Sequence, residues 1–223
     1  MTDVHPPYLY PAYKSTVLRA PGQPLVRVAP NPLEAAVPAF PAHFVKDAEA
    51  DLTTVGTGAP LGEKMVLVGR VLDADGRPVR RSLVELWQAN ASGRYLHPVD
   101  THDAPLDPNF VGTGQVLTDD EGRYRFVTIK PGAYPWANHA FGWRPAHIHL
   151  SLFGHAVAQR LITQFFFPGD PLLALDPIFN SVPEAGRRHL LADLVLEHGV
   201  EGVALGYRFD VILGGAHPTP MGV

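Results

Sequence analysis

Proline decides what the first part of this chain can become. Ten of the 23 prolines fall within residues 1–62, in runs such as "HPPYLYPAY" and "APNPLEAAVPAFP". Each proline removes a backbone donor and fixes φ, so neither a long helix nor a strand ladder can be sustained there. The same segment carries Tyr8, Tyr10, Val17, Leu18, Leu25, Val26, Val28, Phe40 and Phe44, which is more apolar surface than a free disordered tail tolerates. Residues 1–62 are therefore expected to form an extended N-terminal arm, laid on this chain or on a partner.

From Met65 the punctuation is that of a β protein. "MVLVGRVLD" and "SLVELWQA" flank the turn "ADGRP", and in the second run Leu83, Glu85 and Trp87 alternate with Val84, Leu86 and Gln88. This spacing predicts a hairpin. "DDEG" at 119–122 separates "GQVLT" from "RYRFVTI", and "AHIHLSL", "RLITQFFF" and "GYRFDVIL" follow. Only "PEAGRRHLLADLVL" has helical spacing, through Leu190, Leu191, Leu194 and Val195 behind Pro183. The expected fold is all-β: a β-sandwich core over residues 63–215 with one short inserted helix, followed by a C-terminal tail at 216–223. Its long loops, 90–114 and 130–144, are where function is expected.

Composition removes several classes of function. With 18 basic against 22 acidic residues, a formal net charge of -4 and no basic run, the chain offers no surface for nucleic acid. It has no cysteine, which excludes disulfides, thiolate metal sites, iron–sulfur clusters and a cysteine nucleophile. Any metal must be held by nitrogen and oxygen. "MTDVHPPYLYPAYK" lacks the basic start and apolar run of a signal peptide, and no stretch approaches a membrane span, so a cytoplasmic protein without membrane contact is expected.

The segment "WRPAHIHL" at 143–150 carries the first chemical signal. Strand alternation puts Ile148, Leu150 and Leu152 on one face and His147, His149 and Ser151 on the other. At about 3.3 Å per residue, the two imidazoles leave the backbone about 6.6 Å apart, close enough to converge on one ion. By spacing alone they suit a metal or ordinary hydrogen bonding equally well. A zinc hydrolase pattern would need an acid at 151, where Ser151 stands, and a cupin would need one sooner than Asp170; His139 or His155 could complete a three-histidine site. Two tyrosines in loops, Tyr95 in "NASGRYLHP" and Tyr134 in "KPGAYPWAN", sit where core packing does not need them. "NAS" at 90–92 and Asp107 in "LDPNF" suit turns.

"GRYLHP", "APLDPNF", "LTDDEGRYRF", "TIKPGAYPW", "WRPAHIHL", "RLITQFFFPGDP" and "YRFDVIL" occur in this order. From about Pro6 to Gly214 the chain resembles the non-haem ferric intradiol ring-cleavage dioxygenases, and within that family the beta chains of the protocatechuate-cleaving branch. The resemblance implies that Tyr95, Tyr134, His147 and His149 hold one Fe(III) in a metal site walled by the long loops. It implies that Tyr134 gives way to substrate and takes up a proton, and that Arg144 stabilises negative charge developing on the ring. Tyr13, Trp136, Gln164 and Ile178 correspond to pocket residues. The implied substrates are protocatechuate (3,4-dihydroxybenzoate) and O2, and the implied partner is an alpha chain in a hetero-oligomer; catechol or hydroxyquinol as substrate, or a non-catalytic partner role, are the alternatives. Ala137 stands where many members of the family carry an arginine. His97, His102, His139 and His155 receive no role.

Overall fold

The computed structural model describes residues 4–26, 45, 47–154 and 160–222. Val28, Phe40, Phe44 and His155, singled out above, lie outside them. The first sheet is built on the long strand β1 (Lys64–Asp73). β4 (Arg123–Ile129) pairs with it antiparallel along one side, while β10 (Leu205–Arg208) and β11 (Val211–Leu213) run parallel to its two halves on the other. β9 (Asp193–Leu194) extends β10. The second sheet is antiparallel, in the order β3 (Thr113–Leu117), β2 (Leu83–Trp87), β7 (His147–Phe153) and β8 (Arg160–Phe166). A two-residue ribbon, β5 (Tyr134–Pro135) with β6 (Trp143–Arg144), stands apart.

The two sheets face each other across one apolar core. Met65, Leu67, Val71 and Phe126 from the first meet Val84, Leu86, Ile148, Leu150, Leu152 and Phe165 from the second. Phe165 stacks on Phe209 at 4.8 Å between ring centroids. Period-two alternation puts Trp87, His147, His149 and Gln164 on the opposite, outer face of the second sheet. Register then sets Trp87 beside His149 and His149 beside Gln164, a row across three strands.

The predicted hairpin between β1 and β2 does not form. The turn does: Asp73 N donates to Arg77 O and Val79 N to Val71 O, both at 2.9 Å. Beyond it the chain crosses to the other sheet through Arg81, whose φ is 52°. The turn at 119–122 repeats this design, with Asp119 accepting backbone N–H groups from Glu121 and Arg123 just as Asp73 does from Asp75 and Arg77. The two crossings are tied together by Thr118, which accepts from Ser82 N at 2.8 Å and donates to Val79 O at 2.7 Å. Turn chemistry dictates a reversal; burying both apolar faces in one core puts the arms in opposite sheets.

The predicted helix is also broken up. α3 (Glu184–Arg187) gives way to a 3-10 turn at Arg188–Leu190, and Leu191 is extended, with φ -103° and ψ 130°. Ala192 N donates to Phe166 O at 3.0 Å and β9 pairs with β10, so sheet edges capture the segment; ladder bonds override helical spacing. Leu194 is 51% exposed and belongs to no apolar helix face. Two other short helices occur, α1 (Thr16–Arg19) and α2 (Pro177–Ser181). Among the described residues no helix is long and apolar enough to cross a membrane.

The arm is clamped where it is described. Thr16, fully buried, has its hydroxyl 2.8 Å from both Tyr10 O and Tyr13 O, which share its one proton, and accepts from Tyr10 N at 2.9 Å. Tyr13 packs on Trp136 at 4.9 Å. At the other end, Thr163 donates to Pro220 O and Gly222 N to Ile162 O, laying the tail along β8. Leu150 has no exposure and lies between the sheets, so Leu150→Ala should lower stability by about 2–5 kcal/mol in urea unfolding. A loss under 1 kcal/mol would contradict this packing.

Candidate metal centre

His147 and His149 stand on the outer face of the second sheet, with ring centroids 4.8 Å apart. Their orientation is fixed from behind. His147 Nδ1 lies 2.7 Å from Pro145 O and donates to it, which leaves Nε2 as an unprotonated donor atom. His149 stacks flat on Trp87 at 4.9 Å and 0°. Burial, together with the Arg144 charge, pushes His147 well below the ordinary histidine range and lowers His149 to about 3. Both imidazoles are held in the neutral form, in which one ring nitrogen of each keeps a lone pair.

The tyrosines come from two loops that touch through glycine. Asn90 ties the 90–94 turn by accepting from Ser92 N and Arg94 N, both at 2.9 Å, in line with the turn reading of "NAS". A Cβ on Gly93 would lie 2.1 Å from Ala133 O, and one on Gly132 would lie 2.4 Å from Ala91 O. Only bare backbone at both positions lets the loops meet this closely. The result is Tyr95 edge-on to Tyr134 at 5.4 Å, with Tyr134 Oη 3.2 Å from His147 Nε2. Burial first, then the neighbouring Tyr134, raises the Tyr95 pKa well above its ordinary value. Its buried Oη has no hydrogen-bond partner.

Arg144 closes the centre from below. It is 2% exposed and donates through Nη1 to His147 Nε2 at 3.0 Å and to Tyr134 Oη at 3.4 Å, and through Nη2 to Gln164 at 3.0 Å. Nε and Nη2 both reach Asp176 Oδ2, at 3.1 and 3.0 Å. Trp136 lies against the guanidinium at 5.1 Å. Burial opposes the charge on Arg144, yet Asp176 and Tyr134 carry its pKa above the ordinary value. Asp176 is fully buried and also caps α2 through Ile178 N. It escaped the reading of the sequence, although "DPIF" is a helix-start signature that marks a structured acid.

The expected pocket residues reach the centre by different routes. Trp136 lines a cavity of about 960 Å³ with Trp87, Tyr95, His102 and Tyr134. Tyr13 touches it through Trp136, Gln164 through Arg144, and Ile178 through Asp176. His139 does not join: Nε2 donates to Trp143 O and Nδ1 accepts from Phe141 N, so both nitrogens hold the 136–143 loop. His97 is exposed, its Nδ1 accepting from Val99 N. Asp107 caps its turn by accepting from Asn109 N and Leu61 N.

Chemically, two phenols and two imidazoles stand one against the next beside a fixed positive charge. Among the described residues no cluster of three His, Cys, Asp or Glu could hold a metal, so an ion here needs the tyrosines. An orphaned buried hydroxyl costs about 1–3 kcal/mol, which a cation beside Tyr95 Oη would relieve. Hard oxygen donors with imidazole suit ferric iron, and the residues fit it.

A dioxygenase family model covers residues 36–215, and one for the N-terminal part of protocatechuate 3,4-dioxygenase beta subunits covers residues 2–31. The chain is 55% identical to a protocatechuate 3,4-dioxygenase beta chain of Burkholderia cepacia, over 97% of its own length and 93% of that relative. It belongs to the intradiol dioxygenase family. Within that family it is also 34% identical to an alpha chain of the same enzyme from Pseudomonas putida, over 71% of this chain and 75% of that one. The solved catechol 1,2-dioxygenase of Acinetobacter sp. ADP1 shares the intradiol dioxygenase fold, with a TM-score of 0.54 and 28% identity over 73% of this chain and 56% of that one.

The buried pair makes a direct test of this arrangement. Asp176→Ala strands the Arg144 guanidinium and should destabilise the chain by about 3–5 kcal/mol, whereas replacing both residues by apolar ones of similar size should recover most of that loss. Urea denaturation of the single and double variants measures it, and equal losses in both would contradict the pairing.

Proposed function

We propose that this chain is the catalytic beta-type subunit of a ferric, non-haem intradiol dioxygenase that cleaves protocatechuate with O2 in company with an alpha chain. The observation that supports it most is that Tyr95, with its unpartnered buried phenol oxygen, lies against Tyr134, which in turn touches His147 beside His149. Those four side chains would hold the iron. Bound ferric iron supplies a Lewis acid for the two ring hydroxyls and couples the electron-rich ring to O2. All four donors are present, which favours the catalytic over the non-catalytic role. The family model on residues 2–31 favours the beta-type reading over the catechol or hydroxyquinol one.

The chain's own residues supply position, charge and a proton site. Trp87 and Trp136 wall the cavity for a flat ring. Tyr134 Oη, beside Arg144 Nη1, is placed to accept a proton from a substrate hydroxyl. Arg144 stays protonated throughout and stabilises negative charge on the ring without exchanging its own proton. His147 is held in one tautomer by Pro145 O. Overall, the bond between the two hydroxylated carbons breaks, each takes one atom of O2, and 3-carboxy-cis,cis-muconate is released. In this reading residues 1–62 are the arm that serves the partner contact, 63–215 the catalytic domain and 216–223 its tail.

With isotopically labelled O2, the product should carry both labelled atoms, one on each new carboxylate. Tyr134→Phe should keep its metal and slow substrate uptake by about 100-fold or more, while Tyr95→Phe should impair the metal site itself. Ring cleavage outside the two hydroxylated carbons, or identical metal content and kinetics in the two variants, would overturn this reading.

A further inference from the structure

A ring carboxylate needs a cation, and the walls of the cavity beside Tyr134 carry acids instead, Asp100 and Asp103. Four cations approach this region. Arg144 is committed to Asp176 at 3.0 Å and Arg94 faces Asp100 at 3.9 Å. Arg19 lies over the Tyr13 ring at 4.6 Å. Lys14 differs: its Nζ donates to the neutral carbonyl of Ala137, a wall residue, at 3.2 Å, and among the described residues it has no ion-pair partner. Two of its three ammonium protons remain for a ligand.

Its placement is built in. The Thr16 hydroxyl locks the turn from Tyr10 to Thr16 with three hydrogen bonds. Lys14 N donates to Asn138 O at 2.9 Å, and Tyr13 packs on Trp136. The arm thus holds the lysine against the 136–138 rim from both sides. Alanine at position 137 offers no charge of its own, so Lys14 brings the positive charge to this part of the rim.

We infer that Lys14 is a specificity-determining residue, which selects ring substrates bearing a carboxylate over those without one. This rests on the reading of the chain as protocatechuate-cleaving. Asp100 is already matched by Arg94 and neither wall acid attracts a carboxylate, so the selection falls to Lys14. Part of the subsite therefore belongs to this chain's own arm, rather than all of it to an alpha chain.

The test uses the alpha–beta complex with Lys14→Gln and Lys14→Arg. In Lys14→Gln the ratio of kcat/KM for protocatechuate to that for catechol should fall about tenfold, through KM for protocatechuate, and Lys14→Arg should restore most of it. An unchanged ratio overturns the inference. Calorimetric titration with 4-hydroxybenzoate and with phenol, neither of which has the paired hydroxyls of a substrate, decides the matter independently of turnover. A selective weakening of 4-hydroxybenzoate in Lys14→Gln supports the subsite, and equal changes for both ligands overturn it. Wild-type complex that fails to cleave protocatechuate refutes the parent reading separately, because the titration still reports on carboxylate selection.

Discussion

The Arg144 guanidinium is the interaction on which the centre depends. Sealed at 2% exposure, it touches Tyr134, His147, Gln164, Asp176 and Trp136. These residues come from β5, β7, β8, the cap of α2 and the loop after β5. A buried charge of this kind is tolerable only when it is paired and its donors are spent. Asp176 meets the first condition, and its second oxygen caps α2, so the helix start and the charge are fixed by one carboxylate. The same group that steadies the scaffold can therefore stabilise charge in a reaction.

Around that hub, two kinds of structure meet. The outer face of the second sheet supplies the histidines, placed by strand register beside Trp87 and Gln164. The loops supply the tyrosines, brought into contact because Gly93 and Gly132 let the backbones approach. Rigid strands fix the nitrogens, while the phenols sit on segments held by a few hydrogen bonds. Under the proposed function three ligands stay in place and one phenol changes role, which suits this division.

Much of this was legible in the sequence, though for uneven reasons. Alternation alone put His147 and His149 on one face of a strand, and the structure has Ile148, Leu150 and Leu152 buried on the other. The β-sandwich followed from turn spacing. The hairpin failed because "ADGRP" specifies a reversal and says nothing about which sheet receives the returning strand. The helix through Leu194 failed because β9 pairs with β10, a contact distant in sequence. Asp176 was missed for the same kind of reason: "DPIF" marks it as a helix cap, but its partner Arg144 lies 32 residues away and nothing local signals that pairing. Lys14 carries no signal in the sequence, because the carbonyl it bonds belongs to Ala137, far along the chain.

Ferric iron held by two tyrosine oxygens and two histidine nitrogens, as proposed, would be visible to the eye. Phenolate bound to Fe(III) gives intense visible charge-transfer colour, which zinc or magnesium does not. The most direct measurement is metal analysis of the purified alpha–beta complex alongside its visible spectrum, with a catechol added at the end. The prediction is one iron per beta-type chain, a red-brown band, and a shift of that band on addition of catechol. A colourless, active preparation holding stoichiometric zinc would contradict it.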